Sequence, residues 1–271
     1  GVIGMEWASL YADFGVKVTV LEFLDRILPT EDEAVAAELH KLMSRRKVEI
    51  VTGAAVLPES VQVADGRVTL QARVAEETRE FQAEALLIAV GREPVTRDFG
   101  LENRERIAYT EGGFIAVDGF GRTGDPAIYA IGDVAGGGLA HVASHQGIIA
   151  MEHIAGLNPE PFDPTRVPRC VYTRPEVASV GLTEARAREQ GREVRVGTFP
   201  WRGIGKAQVF GSLDGFAKIV ADAATGDVLG VHLIGPDATN LISEAGLAMV
   251  LNASAWEMSQ VIRPHPTLSE I

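Results

Sequence analysis

Cysteine is nearly absent from this 271-residue chain, with Cys170 the sole example. One thiol excludes an internal disulfide and any cysteine-rich metal centre, and no metal site is expected. It also fits a reducing, cytoplasmic setting. Positive charge is scarce: Lys and Arg number 25 against 37 Asp and Glu, a net charge of −12. That balance excludes the broad basic face that a general nucleic-acid or anionic-membrane binder needs. No apolar run approaches the ~18–20 residues of a membrane span, and no basic–apolar–small-residue leader is visible. The chain opens on Gly1-Val2-Ile3-Gly4 without Met and stops at Ser269-Glu270-Ile271, where a helix reads as starting. Both ends read as cuts through a longer pattern.

What is present is an ordinary globular mix, 46% hydrophobic and 23% charged. The length suits about two domains at ~100–200 residues each. Gly4 to Phe14 reads as a helix with Met5, Leu10 and Phe14 on one face and Gly15 at C′. Lys17 to Glu22 is a short β-rich run, and Val48 to Val51 is another. Between them Thr30-Glu31-Asp32-Glu33 reads as a capping box opening a helix to about Arg46. Val61 to Gln82 alternates like antiparallel strands, with Ala64-Asp65-Gly66 as the hairpin turn. Ala85 to Gly91 is a continuous apolar run, the pattern of a strand buried on both faces. After an irregular stretch, Ala127 to Ile131 reads as a second buried strand, and Ala140 to Ala155 as a helix. Pro159, Pro161, Pro164 and Pro168 mark a linker. Beyond it the pattern predicts strands or helices at 169–173, 183–190, 193–199, 215–221, 228–233 and 240–251.

Three places carry possible chemistry. Gly1-x-x-Gly4 opens a helix, and Glu22 ends the strand that follows. This is the back of a dinucleotide fingerprint, in which the helix N-terminus faces phosphates and an acid faces the ribose. A carboxylate there favours NAD over NADP. The plain alternative is a helix start and a surface acid. Gly132-Asp133 follows the second apolar run, so Asp133 reads either as a ligand-hydroxyl acceptor or as a capping residue. Near the C-terminus, Pro266 holds His265 in extended backbone, and Glu270 lies three residues after Thr267. Glu270 reads as a cap residue or as the carboxylate orienting a general base, His265. Cys170 sits in an apolar strand and reads as a core thiol.

These strings together resemble the flavin-dependent pyridine nucleotide–disulfide oxidoreductases. The resemblance rests on Gly1-Val-Ile-Gly-Met-Glu6, Val18 to Pro29, Val90-Gly-Arg-Glu-Pro94, Tyr129-Ala-Ile-Gly-Asp133, Leu139-Ala-His141, Tyr172 to Thr183 and His265-Pro-Thr-Leu-Ser-Glu270. It spans the whole chain, and the final string favours the branch that oxidises dihydrolipoyl groups. It implies an α/β fold in three parts. A Rossmann-like NAD-binding domain lacking its first strand fills 1–90, and a central segment completing the FAD site fills 91–158. An α+β dimerisation domain, truncated at its C-terminal end, fills 159–271. It implies NAD contacts from Gly1, Val2, Ile3, Gly4, Glu6, Glu22, Val56 and Gly91. FAD contacts would come from Gly132, Asp133, Gly138, Leu139, Ala140 and His141. His265, oriented by Glu270, would be the acid–base residue serving the partner subunit of a homodimer. The implied reaction is oxidation of a protein-bound lipoyl dithiol by NAD, through FAD and a redox disulfide. The partner would be the lipoyl domain of a 2-oxoacid dehydrogenase or glycine-cleavage complex.

Three departures stand out. The Cys-x-x-x-x-Cys pair of the family is absent, as are the first glycine and first strand of the NAD fingerprint. Arg263 stands where many family members carry histidine. The chain by itself is therefore expected to lack lipoyl turnover. The rival readings are another disulfide or quinone reductase on this scaffold, or a non-catalytic NAD-binding and dimerising module.

Overall fold

A computed structural model describes residues 1–271, except the side chain of Glu102. It contains two compact units: residues 1–90 with 168–271, and residues 91–167. The first opens with helix α1 (Val2–Asp13), whose N-cap is Gly1. Its buried residues are Met5, Ala8 and Ser9, while Leu10 and Phe14 are 42% and 74% exposed. The expected Met5–Leu10–Phe14 face is thus corrected. At about 100° per residue, positions five and nine steps from Met5 fall on the far side of the helix. Gly15 does close the helix: its N–H reaches Ala12 O and that of Val16 reaches Tyr11 O, with Gly15 at φ 77°.

Strands β1 (Thr19–Leu21) and β2 (Glu49–Val51) pair in parallel, joined by helix α2 (Glu33–Arg45). The expected capping box at Thr30 does not form. Asp32 is the N-cap, accepting from the Ala34 N–H at 3.1 Å. The preceding carboxylate is committed elsewhere, since Glu31 turns inward to Ser179 Oγ at 2.5 Å and Arg169 Nε at 3.2 Å. An antiparallel meander follows: β3 (Ala54–Ala64), β4 (Arg67–Val74) and β5 (Glu77–Ala83). Asp65 and Gly66 have φ 52° and 71°, the left-handed pair of a type I′ turn, as the sequence predicts. The run from Ala85 to Gly91 is not a buried strand. It pairs with no strand among the described residues, and Leu87, Ile88 and Val90 are 52%, 72% and 93% exposed.

The second unit has little regular structure. Its one long element is helix α3 (Ala140–Ile154), and its small core gathers Ile107, Ile115 and Ala130. The expected strand at 127–131 is reduced to a single bridge between Arg122 and Tyr129, because only one neighbour pairs with it. Gly132–Ala135 forms a 3-10 turn, leading through Gly136 to α3.

The first unit is completed by a five-stranded antiparallel sheet. Its strands are β6 (Arg169–Val171), β7 (Glu176–Gly181), β8 (Val194–Pro200), β9 (Phe216–Asp222) and β10 (Val228–Gly235), in the order β6-β7-β10-β9-β8. Helix α4 (Glu184–Glu189) follows β7, α5 (Gly205–Phe210) follows β8, and α6 (Ala238–Val250) packs on β10 and β7. A short α7 (Ala255–Ser259) precedes the C-terminal segment, in which Leu268–Glu270 forms a 3-10 turn. β7, α5 and α7 are not predicted from the sequence. β7 is rich in small residues and owes its burial to its position between β6 and β10.

One core joins the early and late halves of this unit. Met5, Leu39 and Met43 pack with Val171, Val177 and Ile234. Beside it lies a polar cluster that the sequence does not reveal. Lys218, on β9, places Nζ 2.9 and 3.0 Å from the two Asp32 oxygens and 2.8 Å from Glu184 Oε2. His232 stands across from Ser179 and Lys218 in the sheet register. Its Nε2 bonds Leu182 O at 3.0 Å, and its Nδ1 is buried without a partner among the described residues. Burial holds the His232 ring below the ordinary histidine value, so it is neutral.

Candidate functional site

The N-terminus of α1 supplies the first cradle. The N–H groups of Val2, Ile3 and Gly4 precede the first intrahelical bond, which runs from the Met5 N–H to Gly1 O. No side chain caps this end, and no acid occupies the first turn. Glu22 follows β1, its Oε2 2.8 Å from the Gly1 nitrogen and its Oε1 accepting from the Leu24 N–H at 3.2 Å. A carboxylate stands beside free helix donors, the pairing a dinucleotide needs. Space at the helix start is open: a Cβ at Gly1 would meet nothing within 4 Å, and one at Gly4 would lie 3.6 Å from Ala89 Cβ. Glu6 accepts from the Tyr172 N–H at 2.9 Å. Val56 is a partly exposed residue of β3, and Gly91 follows the exposed 85–90 run with φ 138°.

The second cradle lies in the 91–167 unit. Gly132 has φ 71°, and a Cβ there would fall 3.0 Å from Ala143 Cβ, so the turn packs directly against α3. Its N–H donates to Gln146 Oε1 at 2.8 Å. Asp133 makes no cap. Its carboxylate instead meets Arg92 at 3.0 Å, with both side chains exposed. Gly138 has φ 66° and precedes Leu139, the N-cap of α3, which offers no side-chain acceptor to the first turn. Ala140 and His141 begin that turn. A glycine-bent backbone, an exposed acid and an uncapped helix start suit a polyhydroxyl, phosphate-bearing ligand such as a flavin dinucleotide. Sequence reasoning missed Arg92 and Gln146. Gln146 lies 14 residues from Gly132, too far for any local spacing rule.

At the C-terminus, His265 Nδ1 lies 2.9 Å from Glu270 Oε1. The other oxygen, Oε2, accepts from the Thr267 N–H at 2.9 Å. The two sequence readings of Glu270 are thus the two oxygens of one carboxylate. The bond from His265, then that from Thr267, hold the Glu270 pKa below its ordinary value. An ionised carboxylate only accepts, so Nδ1 carries the proton. The His265 side chain is 74% exposed. Cys170 is half-buried, and burial, then the charges of Glu176 and Glu31, push its thiol pKa up. It is no activated nucleophile.

The chain was compared with known proteins. Residues 1–147 match the pyridine nucleotide-disulphide oxidoreductase family, and residues 167–271 match that family's dimerisation domain. A dihydrolipoyl dehydrogenase of Bacillus subtilis is 54% identical over 271 residues, all of this chain and 57% of that protein. One from Zymomonas mobilis is 43% identical, again over all of this chain and 58% of its own length. The chain thus spans a little over half the length of the curated relatives it matches. Among solved structures, LpdA of Mycobacterium tuberculosis superposes with a TM-score of 0.91 at 32% identity, over all of this chain and 58% of that one. The HOCl-induced flavoprotein disulfide reductase RclA of Escherichia coli gives 0.89 at 32% identity, over all of this chain and 61% of that one. No helix among the described residues is long and apolar enough to cross a membrane. With both halves matched in order, the chain belongs to the pyridine nucleotide-disulphide oxidoreductase family.

Proposed function

We propose that this chain is the NAD-binding, flavin-completing and dimerising part of a cytoplasmic dihydrolipoyl dehydrogenase. In that reading residues 1–90, 91–158 and 159–271 fill those three roles, and two copies assemble as a homodimer. The observation that carries it is the His265–Glu270 pair, held at 2.9 Å with the His265 side chain 74% exposed. The Nε2 lone pair takes the proton of a dihydrolipoyl thiol, and Glu270 fixes the tautomer and steadies the cation that forms. A thiolate made this way attacks a redox disulfide, which must come from outside these residues because the chain has one cysteine. Bound FAD and NAD supply the electron and hydride transfer. Gly1 to Gly4 and Glu22 hold NAD, with Glu6, Val56 and Gly91 around it. Gly132, Asp133 and 138–141 hold FAD. Substrate is a lipoyl group on the carrier domain of a multienzyme complex, which an exposed histidine can reach.

The test is His265→Gln in the complete flavoenzyme. Lipoamide-dependent NAD reduction should fall by at least the ~10²-fold expected of general acid–base catalysis, with NADH affinity unchanged. Unchanged turnover would remove His265 from the mechanism. Normal lipoamide activity from residues 1–271 alone would refute the requirement for an outside disulfide.

A further inference from the structure

His265 works in the open, so something other than packing must hold it. Ile262 is 97% exposed, and no backbone–backbone hydrogen bond among the described residues involves 262–266. The segment is fixed at its two ends. Downstream, Leu268 is buried against Trp201, Ile204 and Ala207, with Ile271 packed beside them. Upstream, Pro264 O accepts from Thr267 Oγ1 at 2.7 Å, and the tie to the preceding helices is the Arg263 side chain. Arg263 sends one nitrogen, Nη1, to the carbonyls of Met258 and Val261, each at 3.2 Å. Its other terminal nitrogen, Nη2, meets the Glu244 carboxylate on α6. One planar fork therefore ties the end of α7 and the start of the strap to the long helix beneath them. Lysine has no such fork, and histidine, expected here from the family resemblance, has too short a reach and too few donors to make all three bonds.

We propose that Arg263 is a positioning residue for His265, acting through its ion pair with Glu244. It fixes the upstream end of the strap, so that the imidazole is presented at one angle and depth. The inference rests on the reading of His265 as the acid–base residue. Arg263 touches no reacting atom; its effect passes wholly through where His265 stands.

The experiment uses the holoenzyme and four variants: Arg263→Ala, Arg263→Lys, Glu244→Ala and the double change Arg263→Ala with His265→Gln. A displacement of about 1 Å in a catalytic group costs up to ~10²-fold. Arg263→Ala should therefore lower lipoamide kcat by about 10–100-fold, with KM for NAD unchanged. NADH oxidation by a soluble quinone, which needs no thiol proton transfer, should stay at the parent rate. Glu244→Ala should reproduce the loss from the helix side, and Arg263→Lys should restore part of it. The double variant should be no slower than His265→Gln alone, because Arg263 has no separate task. Full turnover in Arg263→Ala, or losses that multiply in the double variant, would overturn the proposal. Should His265→Gln itself keep full lipoamide turnover, the functional reading falls and this inference with it. A loss confined to Arg263→Ala and absent from Glu244→Ala would overturn the ion-pair route.

Discussion

Two apolar runs of this chain have opposite fates. β10 reads Val-Leu-Gly-Val-His-Leu-Ile-Gly, and all eight residues are buried. The run Ala85 to Val90 is more uniformly apolar, yet its side chains stand in solvent, Val90 almost completely. The difference lies in neighbours. β10 has β7 on one edge, β9 on the other, α6 on one face and α2 on the opposite face. Approach is so close that a Cβ at Gly235 would fall 1.7 Å from Trp201 Nε1, whose hydrogen goes to Ile234 O. Residues 85–90 pair with no strand among the described residues. Apolar composition permits burial, and partners on both edges produce it.

The comparison can be broken or sharpened by measurement. The largest effect should come from the polar cluster beside β10. Lys218→Met leaves Asp32 and Glu184 without their buried cation, so equilibrium urea unfolding should show a loss of about 3–5 kcal/mol. A loss below ~1 kcal/mol would mean that water reaches the cluster. Next, Ile234→Ala in β10 should cost about 2–5 kcal/mol, as large-to-small core changes do. Ile88→Ala should stay within ~0.5 kcal/mol. Equal losses would erase the contrast between the two runs.

The cluster also sets a pH window. Burial opposes charge on both Asp32 and Lys218, but the Lys218 bond outweighs it and lowers the aspartate, and the bonds to Glu184 and then Asp32 outweigh it and raise the lysine. The aspartate's contribution is full above its unfolded value of about 3.9 and is lost as pH falls through its lower folded value. The lysine's contribution is full below about 10.4 and is lost as pH rises through its higher folded value. Thermal melts across pH should therefore decline on both sides of a broad plateau, and Lys218→Met should flatten both limbs. A smaller effect than at Ile234 is expected at Gly66, with φ 71° in the β3–β4 turn. Ala there should cost about 1 kcal/mol, read by the same unfolding experiment.

Legibility in the sequence followed the range of the interactions. The Asp65-Gly66 turn, the Gly15 helix stop and the capping role of Glu270 depend on residues a few positions apart, and each is read correctly. The capping box at Thr30 fails because Glu31 is drawn to Ser179, 148 residues away. β7 escapes notice because Ala178 and Ser179 carry no strand signature of their own. The two candidate cradles are half legible: glycines and acids announce themselves locally, whereas Arg92 and Gln146 do so only in three dimensions. Arg263 is visible as a departure from the family pattern, but its bond to Glu244 needs the fold.

The cluster at the head of α2 also bears on how the protein comes into being. Asp32 waits for Lys218, 186 residues later, and Glu31 for Ser179. The whole of Gly91–Val167 is synthesised between the two parts of the first unit. At ~5–20 residues per second, the early helices emerge several seconds before the strands that neutralise and bury them. During that interval two uncompensated acids keep the head of α2 hydrated. Burial of that helix end against the late sheet therefore follows synthesis of Arg169, Ser179 and Lys218.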